Sequence, residues 1–303
     1  MRNKILTLLI VLTTLTLIFA GCDYSDDSGE LALSIADRPV NEIEEVNVTL
    51  DRVEVQSEEN GWQEIQDFDD EEDGTKTFNL LDLRFEPELL GQEMLPAGNY
   101  NNIRLYLAAS EFNEEAGSPI DTGGASYIKF EDEEEAELFI PAGEEAGLQI
   151  DVDFIIEEDT ITHLLLDNDI RKILNEEVPN GYILRRTAIE VIDLQDVGDI
   201  EGQVLNEDGD PITDYDVIVE AKDEDEVIRD TVATVDEVQG RDPGSYRLRG
   251  LPEDGSYTIR AFAEDEDGNM VAESAQELTE VTVEVDEVTE VDPLEIDMSE
   301  VEE

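Results

Sequence analysis

The sequence predicts an all-β protein in which two tandem β-sandwich-like domains follow a cleaved export signal. Short runs of alternating apolar and polar residues recur from residue 29 onward, and residues that favour turns interrupt them. Helical periodicity is nearly absent from the same stretch. The first 21 residues differ, because they are almost entirely apolar and begin with two cationic residues. These observations indicate strands packed into cores, preceded by a segment that belongs to neither core.

Residues 1–21 have the three parts of an export signal. Arg2 and Lys4 supply the charged start, a run of Leu, Ile, Val, Thr and Phe extends from Ile5 to Phe19, and two small residues close the segment. The run is shorter than the roughly 20 residues needed to span about 30 Å of hydrocarbon. Cleavage is therefore favoured over a retained membrane helix.

The only cysteine of the chain, Cys22, stands directly after this signal. Phe19, Ala20 and Gly21 before it resemble the bacterial lipobox, although Leu is usual at the first of these positions. The resemblance implies that Cys22 is diacylated and becomes the first residue of the mature chain. Two acyl chains are enough for stable anchoring, whereas one is marginal. We therefore expect an exported, lipid-anchored membrane protein that faces the cell exterior or the periplasm, with residues 22–28 as a lipidated acidic tether.

The mature chain is strongly acidic. The full sequence holds 82 acidic and 18 basic residues, a formal charge of −64, and loss of the two cations of the signal leaves 82 against 16, or −66. Such a charge opposes compaction, but the screening length falls from about 10 Å at 0.1 M salt to about 3 Å at 1 M. Hydrophobic residues still make up 40% of the chain, which favours folded cores over disorder. The composition predicts adaptation to high salt, and its sign excludes nucleic acid as a partner.

Acidic loops raise the alternative of a calcium-binding surface protein. The stretch DDEEDGTKTFNL places Asp69, Glu71 and Asp73 as in a calcium loop, but Leu80 stands where a bidentate Glu is required. Strand-connecting turns also collect Asp, Asn and Gly because these residues tolerate turn dihedrals. We expect no metal site and no cofactor apart from the diacylglycerol-type lipid on Cys22, with weak calcium binding left open.

The predicted strands show which residues enter the first core. ELALSIAD places Leu31, Leu33 and Ile35 on one face of a strand. In VNVTLDRVEV the apolar parity changes between Leu50 and Val53, which indicates a β-bulge or an edge crossing. FEPELLGQEML is the one predicted helical turn, and YILRRTAIEVIDL predicts a long closing strand.

A domain boundary is predicted near residues 194–211, which gives a first domain over 29–194, a second over 198–297 and a tail over 298–303. The motifs of the first domain are LALSIADRPV (31–40), EEVNVTLDRVEVQ (44–56), FNLLDL (78–83), LPAGNYNNIRLYL (95–107), LLLDND (164–169) and GYILRRTAIEV (181–191). In this order they resemble the domain of unknown function 4382, a family of surface lipoproteins. The resemblance implies a β-rich domain with no assigned activity.

Two motifs characterise the second domain, GDIEGQVLNEDGDPITDYDVIVEA (198–221) and GSYRLRGLPEDGSYTIRAFA (244–263). They are similar to the carboxypeptidase regulatory-like domain, a transthyretin-type β-sandwich. The resemblance implies that the first motif forms a hairpin. In other proteins such modules act as spacers or carbohydrate-binding folds, and they contribute no catalytic residues.

No residue pattern indicates catalysis. His163, the single histidine, shares strand parity with Ile161 and Leu165, and the sequence offers no cluster of metal ligands around it. The chain has no nucleophile-elbow, Walker or dinucleotide motif. Carboxylates are too abundant for one glycosidase pair to be singled out. We therefore predict that the protein is not an enzyme, with a hydrolase as a weaker alternative.

Aromatic side chains are the candidate ligand contacts, because a pyranose ring stacks on an exposed aromatic ring. Trp62 and Tyr257 are the two candidate carbohydrate contacts, and Tyr100, Tyr106, Tyr127 and Tyr246 are weaker ones. Each ring could instead pack inside its own domain. The sequence thus predicts a cell-surface lipoprotein with a non-enzymatic binding or envelope-contact module and a β-sandwich spacer. The alternative is a polysaccharide-binding protein, and the expected partners are envelope polysaccharide or another surface protein.

Overall fold

The computed structural model describes residues 27–301, apart from 39, 41–42, 70, 72–73, 121–124, 133, 142–146, 225, 266–267 and 300. The predicted signal and lipobox, with Phe19, Ala20, Gly21 and Cys22, lie outside the described residues, as does Asp73. The described chain is nearly all β, which confirms the predicted fold class. Within it, no helix has the length and apolar character needed to cross a bilayer.

The first domain packs a four-stranded sheet against a larger one. Its described strands are β1 (Ser28–Arg38), β2 (Ile43–Ser57), β3 (Gly61–Asp67), β4 (Lys76–Asn79), β5 (Glu88–Pro96), β6 (Gly98–Leu107), β7 (Glu111–Asn113), β8 (Ser118–Pro119), β9 (Tyr127–Phe130), β10 (Glu135–Pro141), β11 (Leu148–Ile156), β12 (Ile161–Asp169), β13 (Glu177–Val178), β14 (Gly181–Ile183) and β15 (Ile189–Asp193). The small sheet has the order β15-β12-β1-β5. The large sheet is built around β2, whose second half pairs with both β3 and β6.

The core of the first domain lies between these sheets and follows the predicted strand parity. Leu31, Leu33 and Ile35 of β1 are all buried there. In β2 the pairing register shifts between Leu50 and Arg52 relative to β6, so the apolar residues Leu50 and Val53 are both buried although three positions separate them. The predicted irregularity is therefore confirmed as a β-bulge.

Two local predictions for the first domain are wrong. The stretch predicted as a helical turn forms β5 instead, because it pairs antiparallel with β1, and the helical turn lies just before it as a 3-10 turn over Leu80–Leu83. Tertiary pairing overrides a weak local preference here. The predicted closing strand is broken into β14 and β15 by a 3-10 turn at Arg186–Ala188. A short helix, α1 (Ile170–Leu174), follows β12.

The second domain is a smaller two-sheet sandwich. Its described strands are β16 (Val197–Asn206), β17 (Asp216–Asp223), β18 (Glu226–Val232), β19 (Ser245–Pro252), β20 (Tyr257–Glu264), β21 (Met270–Glu273), β22 (Leu278–Val281), β23 (Val288–Glu290) and β24 (Leu294–Ile296). One sheet holds β19, β16, β23 and β24, and the other has the order β18-β17-β20-β21 with β22 on β20. The hairpin implied for the first motif is not formed, because β16 and β17 lie in different sheets.

The two domains meet on the outer face of the four-stranded sheet. Ala36, Leu165 and Ile192 form a small buried cluster there, and Leu194 and Val197 pack against it from the connection between the domains. The second domain thus covers the end of β1, while residues near the start of β12, such as Ile161, remain exposed on the same sheet.

Candidate functional site

The scarce cations of the chain gather at the junction between the domains. The sequence has thirteen arginines, and seven of them lie at this junction: Arg38, Arg84 and Arg171 from the first domain, and Arg229, Arg241, Arg247 and Arg249 from the second. In a chain with such an excess of carboxylates, the concentration of arginines on one surface makes the junction the candidate functional site.

The alternation of β19 aims two arginines at the first domain. Tyr246 and Leu248 point into the core of the second domain, so Arg247 and Arg249 project from the opposite face. Gly250 follows with a φ of +65°, and a Cβ built on it would lie 2.7 Å from Cγ2 of Ile192. Glycine at this position permits both the left-handed conformation and the close approach of the two domains.

The surface that these side chains meet is the end of the 3-10 turn, residues 82–85, hereafter the 82–85 turn. The carbonyl groups at the end of such a turn have no partner within it. Gln239 Nε2 donates to the carbonyl of Asp82 at 2.6 Å, and Arg247 Nη1 donates to the carbonyl of Phe85 at 2.7 Å. The Phe85 amide donates in return to Gln239 Oε1 at 3.0 Å.

Arg249 completes this set of contacts and is itself only 5% exposed. Its Nη2 donates to the carbonyl of Leu83 at 3.0 Å and also to that of Arg84. Its Nη1 donates to the carbonyl of Asp37 at 3.0 Å. Gln239, Arg247 and Arg249 thus bind all four consecutive carbonyls of the 82–85 turn. We call these three side chains the arginine clamp.

Ion pairs across the junction surround the arginine clamp. Arg171 Nη1 lies 2.7 Å from Asp230 Oδ2, and Arg229 Nη1 lies 3.0 Å from Glu190 Oε1. Burial alone would raise the pKa of Asp230. The hydrogen bond and the positive charge of Arg171 lower this pKa by more, so it lies below its ordinary value. Within the first domain, Arg38 Nε donates to Asp167 at 2.6 Å.

A buried carboxyl lies directly beneath the arginine clamp. Asp37 has no exposed surface, and neither of its carboxyl oxygens accepts a hydrogen bond from a described residue. Burial raises the pKa of Asp37 well above its usual range, although Arg84 and Arg249 act in the opposite direction. Burial also lowers the pKa of Arg84 to about 10. A group that resists ionisation therefore lies buried beside the arginine clamp.

A cleft of about 390 Å³ opens beside the arginine clamp. Val40, Ile43 and Leu81 of the first domain form apolar parts of its wall, and residues 235–239 of the second domain close the other side. Arg84 lines the cleft together with several carboxylates. The cleft is in the size range of small-molecule sites, and its walls come from both domains.

Trp62, the first candidate carbohydrate contact, lies on the outer face of the large sheet. The guanidinium carbon of Arg104 is 3.5 Å from the centroid of the Trp62 ring. Tyr106 continues the row, since its ring centroid is 4.1 Å from the guanidinium carbon of Arg52 and its hydroxyl donates to Glu54 at 3.0 Å. One face of the half-buried indole is therefore covered by Arg104, and a sugar has only the opposite face for stacking.

The other candidate rings are placed differently. Tyr257 is only 1% exposed and its hydroxyl donates to the carbonyl of Pro252 at 2.7 Å, so it packs in the second core and presents no face to a sugar. This burial argues against the predicted carbohydrate contact at Tyr257. Tyr100 and Tyr246 are equally buried, and the Tyr127 hydroxyl donates to Glu45.

The remaining candidates do not converge on the junction. His163 is exposed on β12, on the face that carries Ile161. Among the described residues, no group of three or more His, Cys, Asp or Glu side chains is placed to hold a metal ion. Sequence reasoning missed the arginine clamp, although one signal was present: two arginines on the outward parity of a strand in a chain with few cations.

A comparison with known protein families finds a match for the first domain. A family model described as "Domain of unknown function (DUF4382)" matches residues 28–185. No curated protein matches the chain.

Among solved structures, the chain is similar to the Bacillus anthracis TIE protein, at 11% identity over 89% of this chain and 34% of that chain, with a TM-score of 0.23. It is also similar to GBS52, the minor pilin of Streptococcus agalactiae, at 13% identity over 87% of this chain and 95% of that chain, with a TM-score of 0.21. For BcpA, the major pilin subunit of Bacillus cereus, the identity is 9% over 89% and 70% of the chains, with a TM-score of 0.22. The chain spans about a third of the length of the first of these proteins.

Proposed function

The chain belongs to the DUF4382 family, and from that premise we propose that it is an exported, lipid-anchored surface protein that binds envelope components and is not an enzyme. Cys22 carries the lipid, and the two domains face the cell exterior or the periplasm. The acidic surface keeps the protein soluble and folded in concentrated salt. The second domain supports the first as a β-sandwich module with a carboxypeptidase regulatory-like fold.

The observation that carries this proposal is the position of Cys22, which lies six residues before β1 begins at Ser28. A segment of that length extends at most about 20 Å. An anchor at Cys22 would therefore hold the first domain close to the membrane surface, with the second domain attached to it through the junction. Such a short connection suits an envelope-contact protein.

The experiment for the anchor compares the wild-type chain with Cys22→Ser in a bacterial host that processes lipoproteins. Intact mass should show a wild-type chain that begins at Cys22 and carries a diacylglycerol group, and the protein should fractionate with membranes. Both properties should be lost in Cys22→Ser. An unmodified wild-type chain with a different first residue would contradict the proposal.

A second candidate function, polysaccharide binding, is favoured by the row of side chains around Trp62. Asn102 donates to Gln56 at 3.1 Å beside it, so amide groups suited to sugar hydroxyls lie next to an aromatic ring. A glycan and envelope-polymer array in high salt should then detect binding that Trp62→Ala abolishes. Tyr127→Phe is the control, because this ring hydrogen-bonds to Glu45 on another part of the sheet.

The same array tests the non-enzymatic part of the proposal. We expect no turnover of glycans or peptides by the chain from residue 23 to 303. Turnover that disappears when one carboxylate is changed to its amide would show that the protein is a hydrolase.

A further inference from the structure

We infer that the second domain is an intramolecular docking partner that recognises the main chain of the 82–85 turn, and that the two domains consequently behave as one folding unit. This inference goes beyond the proposed function, in which the second domain could equally be a spacer that moves freely on its connection. The arginine clamp fits the end of a helical turn whose consecutive carbonyls have no partner within the turn, with an aromatic side chain directly at that end.

The contacts of the arginine clamp are made to backbone atoms. Gln239, Arg247 and Arg249 together donate to the carbonyls of residues 82, 83, 84 and 85. Hydrogen bonds from a charged donor are about twice as strong as neutral ones, and the planar fork of a guanidinium can satisfy two acceptors at once. The recognised feature is therefore the shape of the turn rather than the charges of its side chains.

The arginine clamp is enclosed by both domains. Arg249 is 5% exposed and Phe85 is fully buried, with the Arg241 guanidinium carbon 4.5 Å from the Phe85 ring centroid. If the domains separated, the carbonyls of the 82–85 turn would exchange their charged donors for water, and the apolar ring of Phe85 would be exposed. Each of these changes is unfavourable, so separation is opposed at several atoms together.

Arg249 also ties the second domain to the end of β1. Its Nη1 donates to the main-chain carbonyl of Asp37 at 3.0 Å, so the clamp reaches a second segment of the first domain besides the 82–85 turn. The Asp37 carboxyl is fully buried and accepts no hydrogen bond from a described residue, and the positive charge of Arg249 acts on it. Removal of the second domain would take both the donor and this charge away from the end of β1.

The test is amide hydrogen exchange in molar salt on the chain from residue 23 to 303, which includes every described residue. In Arg249→Met, exchange in peptides that cover residues 80–86 and 244–252 should accelerate roughly 10- to 100-fold, because a charged and enclosed hydrogen-bond donor is removed. Arg104→Met is the matched control. Arg104 lies 3.5 Å from Glu54 and covers the Trp62 ring on the outer face of the large sheet, on the side of the first domain that faces away from the junction, and its replacement should leave those peptides unchanged.

Two further variants keep the inference falsifiable. Arg249→Lys retains the charge but loses the fork, and it should accelerate exchange as Arg249→Met does; full protection in Arg249→Lys would show that charge, not main-chain recognition, holds the junction. Gln239→Ala is a milder change for the case in which Arg249→Met fails to fold, and it should accelerate exchange of the Phe85 amide. If the junction peptides of the folded Arg249 or Gln239 variants exchange as slowly as those of Arg104→Met, the inference is wrong.

Discussion

Phe85 offers a quantitative test of how firmly the two domains are joined, through the substitution Phe85→Ala. The ring is fully buried at the junction and packs against Arg241 of the second domain. Truncation of a buried Phe costs about 3–5 kcal/mol, and loss of a cation–π contact adds about 0.5–1 kcal/mol. We therefore expect the free energy of unfolding to fall by about 4 kcal/mol.

The assay is urea unfolding at a fixed molar salt concentration, followed by the fluorescence of Trp62. Trp62 is the only tryptophan and lies in the first domain, so the signal reports on that domain alone. The dependence on the second domain is isolated by a double-mutant cycle with Arg241→Ala. The two substitutions should be coupled by about 1 kcal/mol, because the side chains are in contact.

Phe112→Ala is the matched control for this experiment. Phe112 is equally buried in the first domain, but it packs against Phe139 at a ring distance of 5.5 Å rather than against the second domain. Its truncation should cost a similar amount and show no coupling to Arg241→Ala. A loss below about 1 kcal/mol for Phe85→Ala, or equal coupling for both phenylalanines, would show that Phe85 does not join the two domains.

Three other predictions concern the response to salt, the response to alkaline pH and the glycine at the junction. The midpoint of thermal unfolding should rise markedly from low to molar salt, since the charge of −66 must be screened. An unchanged midpoint would contradict the proposed salt adaptation. A rise at millimolar calcium would instead indicate specific cation binding. Burial raises the pKa of both Tyr100 and Tyr257 to about 12. The unfolded chain loses these protons near pH 10, so stability should fall between pH 10 and 12 in urea titrations, and Tyr100→Phe should flatten that fall. Gly250→Ala should lower the free energy of unfolding by more than about 1 kcal/mol, because the backbone has a positive φ there and the added Cβ would lie 2.7 Å from Ile192. Gly209→Ala should lower it by less, because Gly209 also has a positive φ but an added Cβ would meet no atom within 4 Å.

Much of the fold follows from local sequence patterns. The alternation of Leu31, Leu33 and Ile35 predicts the buried face of β1, and the change of parity after Leu50 predicts the bulge of β2. Both features depend on the two-residue period of a strand, which a sequence displays directly. Patterns of this kind fix which face of a strand is buried.

Other features depend on pairing that the sequence does not display. The residues of β5 are compatible with a helical turn, and only its pairing with β1 makes it a strand. The first motif of the second domain was expected to fold as a hairpin, but β17 pairs with β18 and β20 instead of β16. A turn sequence alone does not decide whether the next strand returns to the same sheet or crosses to the other.

The candidate site was harder to predict than the fold. The 82–85 turn and Arg249 are more than 160 residues apart in sequence, and neither belongs to a known functional motif. Trp62 and Tyr257 had similar turn-rich contexts, yet one lies on an outer sheet face and the other in a core. Strand parity gives the face of a side chain but not what covers that face.

A distance measurement between spin labels tests whether the arginine clamp holds the two domains in one fixed arrangement. The chain from residue 23 onward has no cysteine, so Glu58→Cys in the first domain and Asp208→Cys in the second, both exposed in turns, give a single labelled pair. We predict one narrow distance distribution in the wild-type background, which broadens when Arg249→Met is added. A broad distribution in the wild-type background would show instead that the domains move independently about residues 194–196 and that the arginine clamp does not hold them together.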